Sequence, residues 1–166
     1  MKSIPINKLL PALLIVSTVL VGASSIDSTR VTDYEYLTQK LTSVHEYTLE
    51  VFEAMPAEDF AFKPSEDVRT FSAQAFHIAY STEFFKKRFN GEQVAWEPGD
   101  ENRMTKEELI SYFDTQFKEM SEFIMAQDAN PQLTAGIVSF LDHHSHHRGQ
   151  MITYLRVSGI EPPQYR

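Results

Sequence analysis

An all-α fold, a four-helix bundle, is what this sequence predicts, and three observations predict it. Four segments space their apolar residues at three- and four-residue steps, the repeat that gathers side chains on one face of a helix. No stretch sustains the strict alternation of a half-buried strand. Two joints between the segments read as short and one as long, which suits a bundle with one crossover. At 166 residues, 42% apolar and 23% charged, the chain is long enough for one domain with its own core.

The first segment precedes the bundle. MKSIPINKLLPALLIVSTVLVGASS sets Lys2 and Lys8 ahead of or at the edge of an apolar run over residues 9–22, with Val21 and Ala23 where small residues precede signal-peptidase cleavage. Residues 1–23 therefore read as a signal peptide and 24–166 as the domain, which predicts an extracytoplasmic protein, periplasmic or secreted. The apolar run is interrupted by Pro11 and falls short of the ~20 residues that span a bilayer. No stable membrane insertion is expected after cleavage.

Helix one is expected over 32–55. Thr32 with Glu35 forms a capping-box pattern, Tyr34, Leu37, Leu41, Val44, Val51 and Met55 form a stripe, and Pro56 stops it. The connector PAEDFAFKPSEDVRT leads to FSAQAFHIAYSTEFFKKRF, helix two over 71–89, which ends at Asn90-Gly91. GEQVAWEPGDENR has no periodicity and reads as a long crossover between helices two and three. Thr105 and Glu108 make a second capping box, Met104 a staple toward Leu109, and Leu109, Phe113, Phe117, Met120 and Ile124 the buried stripe of helix three. Asn130 and Pro131 open helix four, expected over 131–158, with Gly159 as its stop.

Charge excludes one class of partner. The predicted signal holds two of the 15 basic residues and none of the 23 acidic ones, leaving 13 against 23 and a net of −10. Such a surface repels phosphate backbones, so no nucleic acid is expected. Lys86, Lys87 and Arg88, the one basic run, suit the end of helix two as a solvated face complementing the helix dipole. Without cysteine there is no disulfide, thiolate nucleophile or thiolate metal ligand.

Chemistry gathers in DHHSHHRGQ. On a helical wheel His143 lies about 40° from His147, His144 about 60° on the other side, and His146 about 100° away. The i,i+4 pair stacks two imidazoles on one face, the spacing by which a helix gives one ion two nitrogens. Phe140, Met151 and Tyr154 fall within about 40° of His147, so this face looks inward; the wheel does not decide about His144. A further ligand must come from another helix. His77 of helix two, on the face of Ala73, Ser81 and Phe84, is the candidate, while His45 sits a residue off the stripe of helix one and is expected at the surface. His77, His143 and His147 would leave a coordination position open, as catalytic zinc sites do.

Here HHRGQMITYLR, with another His four residues before its second, resembles the signature of the DinB/YfiT-like superfamily of metalloenzymes, and MPAEDFAFKPSEDVRTFSAQAFHIAYSTEFF resembles its upstream part. The resemblance covers most of the chain after the signal. It implies up-down-down-up topology, a divalent metal on His77, His143 and His147, and His144 outside the ligand set, at the edge of the pocket. It also implies thiol transferases and a thiol-dependent isomerase among relatives, with dimers frequent. A homodimer is accordingly possible, and the many aromatics of helices two and three (Phe84, Phe85, Phe89, Tyr112, Phe113, Phe117, Phe123) are compatible with one.

Hydrolysis of a small-molecule substrate, with water activated at the metal's open position, is the first functional expectation. A thiol S-transferase is the alternative, weakened by the export signal because low-molecular-weight thiols belong to reducing compartments; a non-catalytic metal-binding module is the third reading. Three imidazoles suit Zn, Ni or Fe, and Cu as well. Beyond the ligands, Tyr154 is a candidate acid or base and Gln150 a candidate partner for a ligand imidazole or a bound water. Asp142 points away. Arg148 is expected to pair with an acid across helices, and Gly149 to admit the close approach of another element.

Overall fold

The computed structural model describes residues 34–165. Four helices carry the chain: α1 (Thr38–Ala54), α2 (Phe71–Phe89), α3 (Lys106–Met125) and α4 (Pro131–Val157). No strand occurs among the described residues. The predicted signal at 1–23 and the Thr32 start of helix one lie outside them.

Helix one begins later than its stripe suggests, because a 3-10 turn, Glu35–Leu37, precedes α1. The reason is Tyr34. Its ring is buried, its hydroxyl sits 2.9 Å from Thr134 Oγ1, and it accepts the Asn130 N–H at 3.3 Å. That anchor ties the chain to the first turn of α4 and spends the entry on a tertiary contact instead of a local cap. The other starts follow local chemistry. Thr70 Oγ1 accepts the Ala73 N–H at 3.1 Å, Asn130 Oδ1 accepts the Leu133 N–H at 2.8 Å, and α3 has its full capping box, Thr105 N–H donating to Glu108 Oε2 at 2.8 Å and Glu108 N–H to Thr105 Oγ1 at 3.3 Å.

Each helix packs on two others, so that α1 neighbours α3 and α4, and α2 neighbours the same two. Paired contacts give the directions. Thr70 meets Asn102, Phe76 stacks on Tyr112 and Lys86 bonds Glu119, so α2 and α3 run side by side the same way. Gln74 meets Gln150 and Thr82 meets His144, so α4 runs against α2. Tyr34 with Thr134 and Thr48 with Arg148 set α1 parallel to α4. Phe52, Phe76, Phe113, Phe117 and Phe140 fill the centre.

Both loops flanking α2 are built against it. In the first, the 3-10 turn Ala57–Asp59 is followed by backbone bonds from Phe71 N–H to Phe62 O and from Ser72 N–H to Phe60 O, each 2.8 Å, so this joint of residues 55–70 is as long as the crossover and is folded onto the helix start. In the crossover, Trp96 sets its ring 4.9 Å from Tyr80 and 5.2 Å from Phe84, and the Arg103 guanidinium lies 4.1 Å from the Phe76 ring centre. The aromatic excess of α2 and α3 is largely taken up inside the bundle: Phe85 packs on Phe140, Phe89 on Phe123, and none of the seven aromatics is strongly exposed.

Candidate metal centre

α2 and α4 run in opposite directions, and the first half of α2 lies against the middle of α4. That crossing brings His77 against His143 and His147, one turn apart on α4, with one ligand-capable atom from each within 4.8 Å of the others. Ring centres are 5.1 Å (His77 and His143), 4.3 Å (His77 and His147) and 4.4 Å (His143 and His147) apart. The Nε2 atoms of His77 and His147 are 3.1 Å apart.

Environment keeps the three rings neutral. Burial, reinforced by His147, Arg69 and His143, pushes His77 down to about 3, and burial with His147 and His146 pushes His143 down to about 4. His147 is lowered too, burial again leading. Neutral imidazole is the ligand form, so no proton has to leave at neutral pH before an ion can bind.

The donor set fits a divalent ion. Bonds of ~2.0–2.1 Å place ligand nitrogens roughly 3.0–3.4 Å apart around one ion, and the His77–His147 pair already meets that spacing. His143 Nε2 is buried without a hydrogen-bond partner, a vacancy of bonding that a native core seldom tolerates. Gln150 Oε1, which also accepts from Gln74 Nε2 at 2.6 Å, lies 3.0 Å from His147 Nδ1. Gln74 and Gln150 both reach His147 through Nδ1, so it is Nε2 that faces His77.

Sequence reasoning missed the surroundings of His77. Glu101 of the crossover has Oε1 3.9 Å from His77 Nδ1 and is held by Arg69, whose Nε donates to Glu101 Oε2 at 2.7 Å. Trp96 sets its ring edge-on to His77 at 5.2 Å. Gln74, one turn before His77, touches His147 Nδ1 at 2.6 Å. Of these, Gln74 alone carried a sequence signal, its i,i+3 spacing to His77; the crossover residues have no periodicity to place them. Tyr154 lies in a cleft of about 360 Å3 beside the triad, with Arg69, Gln74, Gln150 and Thr153 on its walls. Burial raises the Tyr154 phenol, so it stays protonated at neutral pH.

Several expectations are corrected. His144 is not at a pocket edge: it is wholly buried, packed on Phe140 at 4.5 Å and Phe117 at 5.6 Å, with Nε2 3.0 Å from Thr82 Oγ1. Arg148 meets no acid among the described residues; it donates to Thr48 Oγ1 at 3.1 Å and lies over the Tyr47 ring. Gly149 admits no close neighbour, since a Cβ there would meet nothing within 4 Å; Gly136 is the close approach, where a Cβ would stand 2.7 Å from Phe89 Cε1. His45 is not a surface residue but stacks on Phe117 at 5.1 Å and pairs with Asp114 at 3.0 Å. His146 stands on the exposed flank, as the wheel places it, and bonds Gln150.

Residues 40–151 match the family model described as the DinB superfamily. Two solved structures are similar in fold. One is a DinB-like protein from Bacillus cereus ATCC 10987, with a TM-score of 0.59 at 17% identity over 80% of this chain and 97% of that one. The other is a DinB-like protein from Bacillus subtilis, with a TM-score of 0.53 at 20% identity over 79% and 98%. No curated protein matches.

Proposed function

The chain belongs to the DinB superfamily, and on that premise we propose that it is a divalent-metal-dependent enzyme that hydrolyses a small molecule outside the cytoplasm. The observation that carries the reading is the convergence of three neutral imidazoles, His77, His143 and His147, on one point. A divalent ion held by them would supply a Lewis acid able to lower the pKa of water or a thiol toward neutral. Zinc, nickel and iron all suit the nitrogen set.

The chain's own groups do the rest. Gln150 fixes the ring of His147, and Trp96 covers one side of His77. The adjoining cleft, with the Arg69 cation and the Tyr154 hydroxyl on its walls, would receive the substrate. Tyr154 Oη–H can be donated to a substrate oxygen or a leaving group. The N-terminal segment that reads as an export signal favours hydrolysis over thiol transfer, since the compartments beyond it are poor in reduced thiols.

The test is metal titration of the purified protein, followed by ester, amide and thiol-transfer substrates. His143→Ala is expected to weaken divalent-metal affinity by more than the ~10–100-fold that loss of an outer partner costs, and to abolish turnover. Equal affinity in the parent and in His143→Ala would sink the metal centre. Tight binding with no turnover of any substrate would leave a metal-binding module in place of an enzyme, and turnover only with a thiol co-substrate would make it a transferase.

A further inference from the structure

On the face of α4 turned away from the triad, α1, α4 and the C-terminal segment enclose a second cleft of about 440 Å3, lined among others by Tyr47, Ser145, Arg148, Gly149, Arg156 and Tyr165. Gly149 and Arg156 lie about 160–180° from His147 around the helix, so the cleft shares no wall with the metal ligands. Arg148 is only 5% exposed. Its guanidinium has five N–H donors, and its partners are Thr48 Oγ1 and the face of Tyr47. Arg148 is nonetheless one of the residues that line the cleft.

Neither Arg148 nor Arg156 makes an ion pair among the described residues. In a chain with net charge −8, two arginines on one cleft with no carboxylate partner among the described residues are unexpected, and a buried cation lacking its counter-charge is costly unless an anion arrives. The walls suit an organic anion. Tyr47 donates its hydroxyl to Pro163 O at 3.3 Å, which holds the C-terminal segment over the cleft, and Tyr165 meets the Tyr47 ring edge-on at 5.8 Å. Gly149 leaves the floor open, since a Cβ there would meet nothing within 4 Å.

We infer that this cleft binds the oxyanion, carboxylate or phosphate, of a small molecule whose apolar body lies against Tyr47 and Tyr165. Arg148 takes two oxygens through its planar fork and Arg156 closes the charge from the rim. The inference is independent of the metal reading, because no metal ligand lines the cleft.

Amide chemical shifts of the full chain, titrated with inorganic phosphate, phenyl phosphate and benzoate, test it. Saturable shifts at Tyr47, Ser145, Gly149 and Tyr165 are expected with phenyl phosphate or benzoate. Response to the first alone assigns a phosphate monoester, to the second alone a carboxylate, and to both the shared oxyanion chemistry. Affinity should fall about tenfold in Arg156→Ala, the loss of one charge-assisted contact. It should vanish in Gly149→Leu, which fills the floor and, by helix propensity, keeps or raises the thermal midpoint. No saturable shift with any of the three anions, shifts centred on His77 and His147 instead, or unchanged affinity in both variants would overturn the inference.

Discussion

At the scale of single residues, the histidine run divides by what each ring can bond. Thr82 Oγ1 donates to Ile78 O at 3.0 Å, so toward His144 it can only accept, and His144 carries its proton on Nε2. That leaves Nδ1 bare and unpartnered in the core. Thr82→Val would strand the Nε2–H as well, with an expected loss of ~1–3 kcal/mol in urea unfolding. His144→Leu in the same chain should recover much of that loss, because replacing both partners removes the stranded donor. A double variant no more stable than Thr82→Val would contradict the bond. The wheel put His143 and His144 about 40° and 60° to either side of His147 and had no means of separating them. What separates them is which neighbour each side of α4 faces: His143 looks to His77 of α2, and His144 looks to Phe113 and Phe117 of α3. Arg148 misled for a related reason. Arginine usually ends in an ion pair, and a buried one bonded to a threonine has no pattern in sequence.

Elements were legible where their ends are decided locally. The N-caps Thr70, Thr105 and Asn130 and the stops Asn90-Gly91 and Gly159 are local, so α2 and α4 fall within a residue of the expected bounds and α3 starts after Thr105, whereas the start of α1 is fixed by the distant Asn130 and Thr134. Thr105→Ala should therefore cost about 1 kcal/mol, read as a lower urea midpoint with an unchanged slope. The crossover is the opposite case: it has no period, yet it delivers Trp96 and Glu101 to the site. Burial is the main reason His77 is held near 3, and Trp96 is part of that burial. Trp96→Ala should raise the His77 pKa toward 6.5, seen in an imidazole NMR titration of the metal-free protein. A value unmoved by the substitution would mean that α2 and α4 alone bury the ring.

For the whole molecule, the same burial makes stability depend on pH. His77, His143, His144 and His147 all have folded pKa values below the ordinary 6.5. The unfolded chain therefore takes up protons first as pH falls. Stability from these rings is complete above 6.5 and is lost progressively through the window down to the folded values, about 4 for His143 and about 3 for His77. Glu66 and Glu83 are lowered in the folded chain as well, so protonating them also favours the unfolded state. The urea midpoint of the metal-free protein should fall steadily from pH 7 to pH 5. A divalent ion held by three of the rings adds ~2.7 kcal/mol at a hundredfold excess over its dissociation constant, and this increment should shrink across the same window as protons displace the ion. His143→Ala should lose the metal increment at pH 7 and show a shallower acid slope. A midpoint flat from pH 7 to pH 5, with or without metal, would mean that the rings are not buried neutral and that no ion is held there.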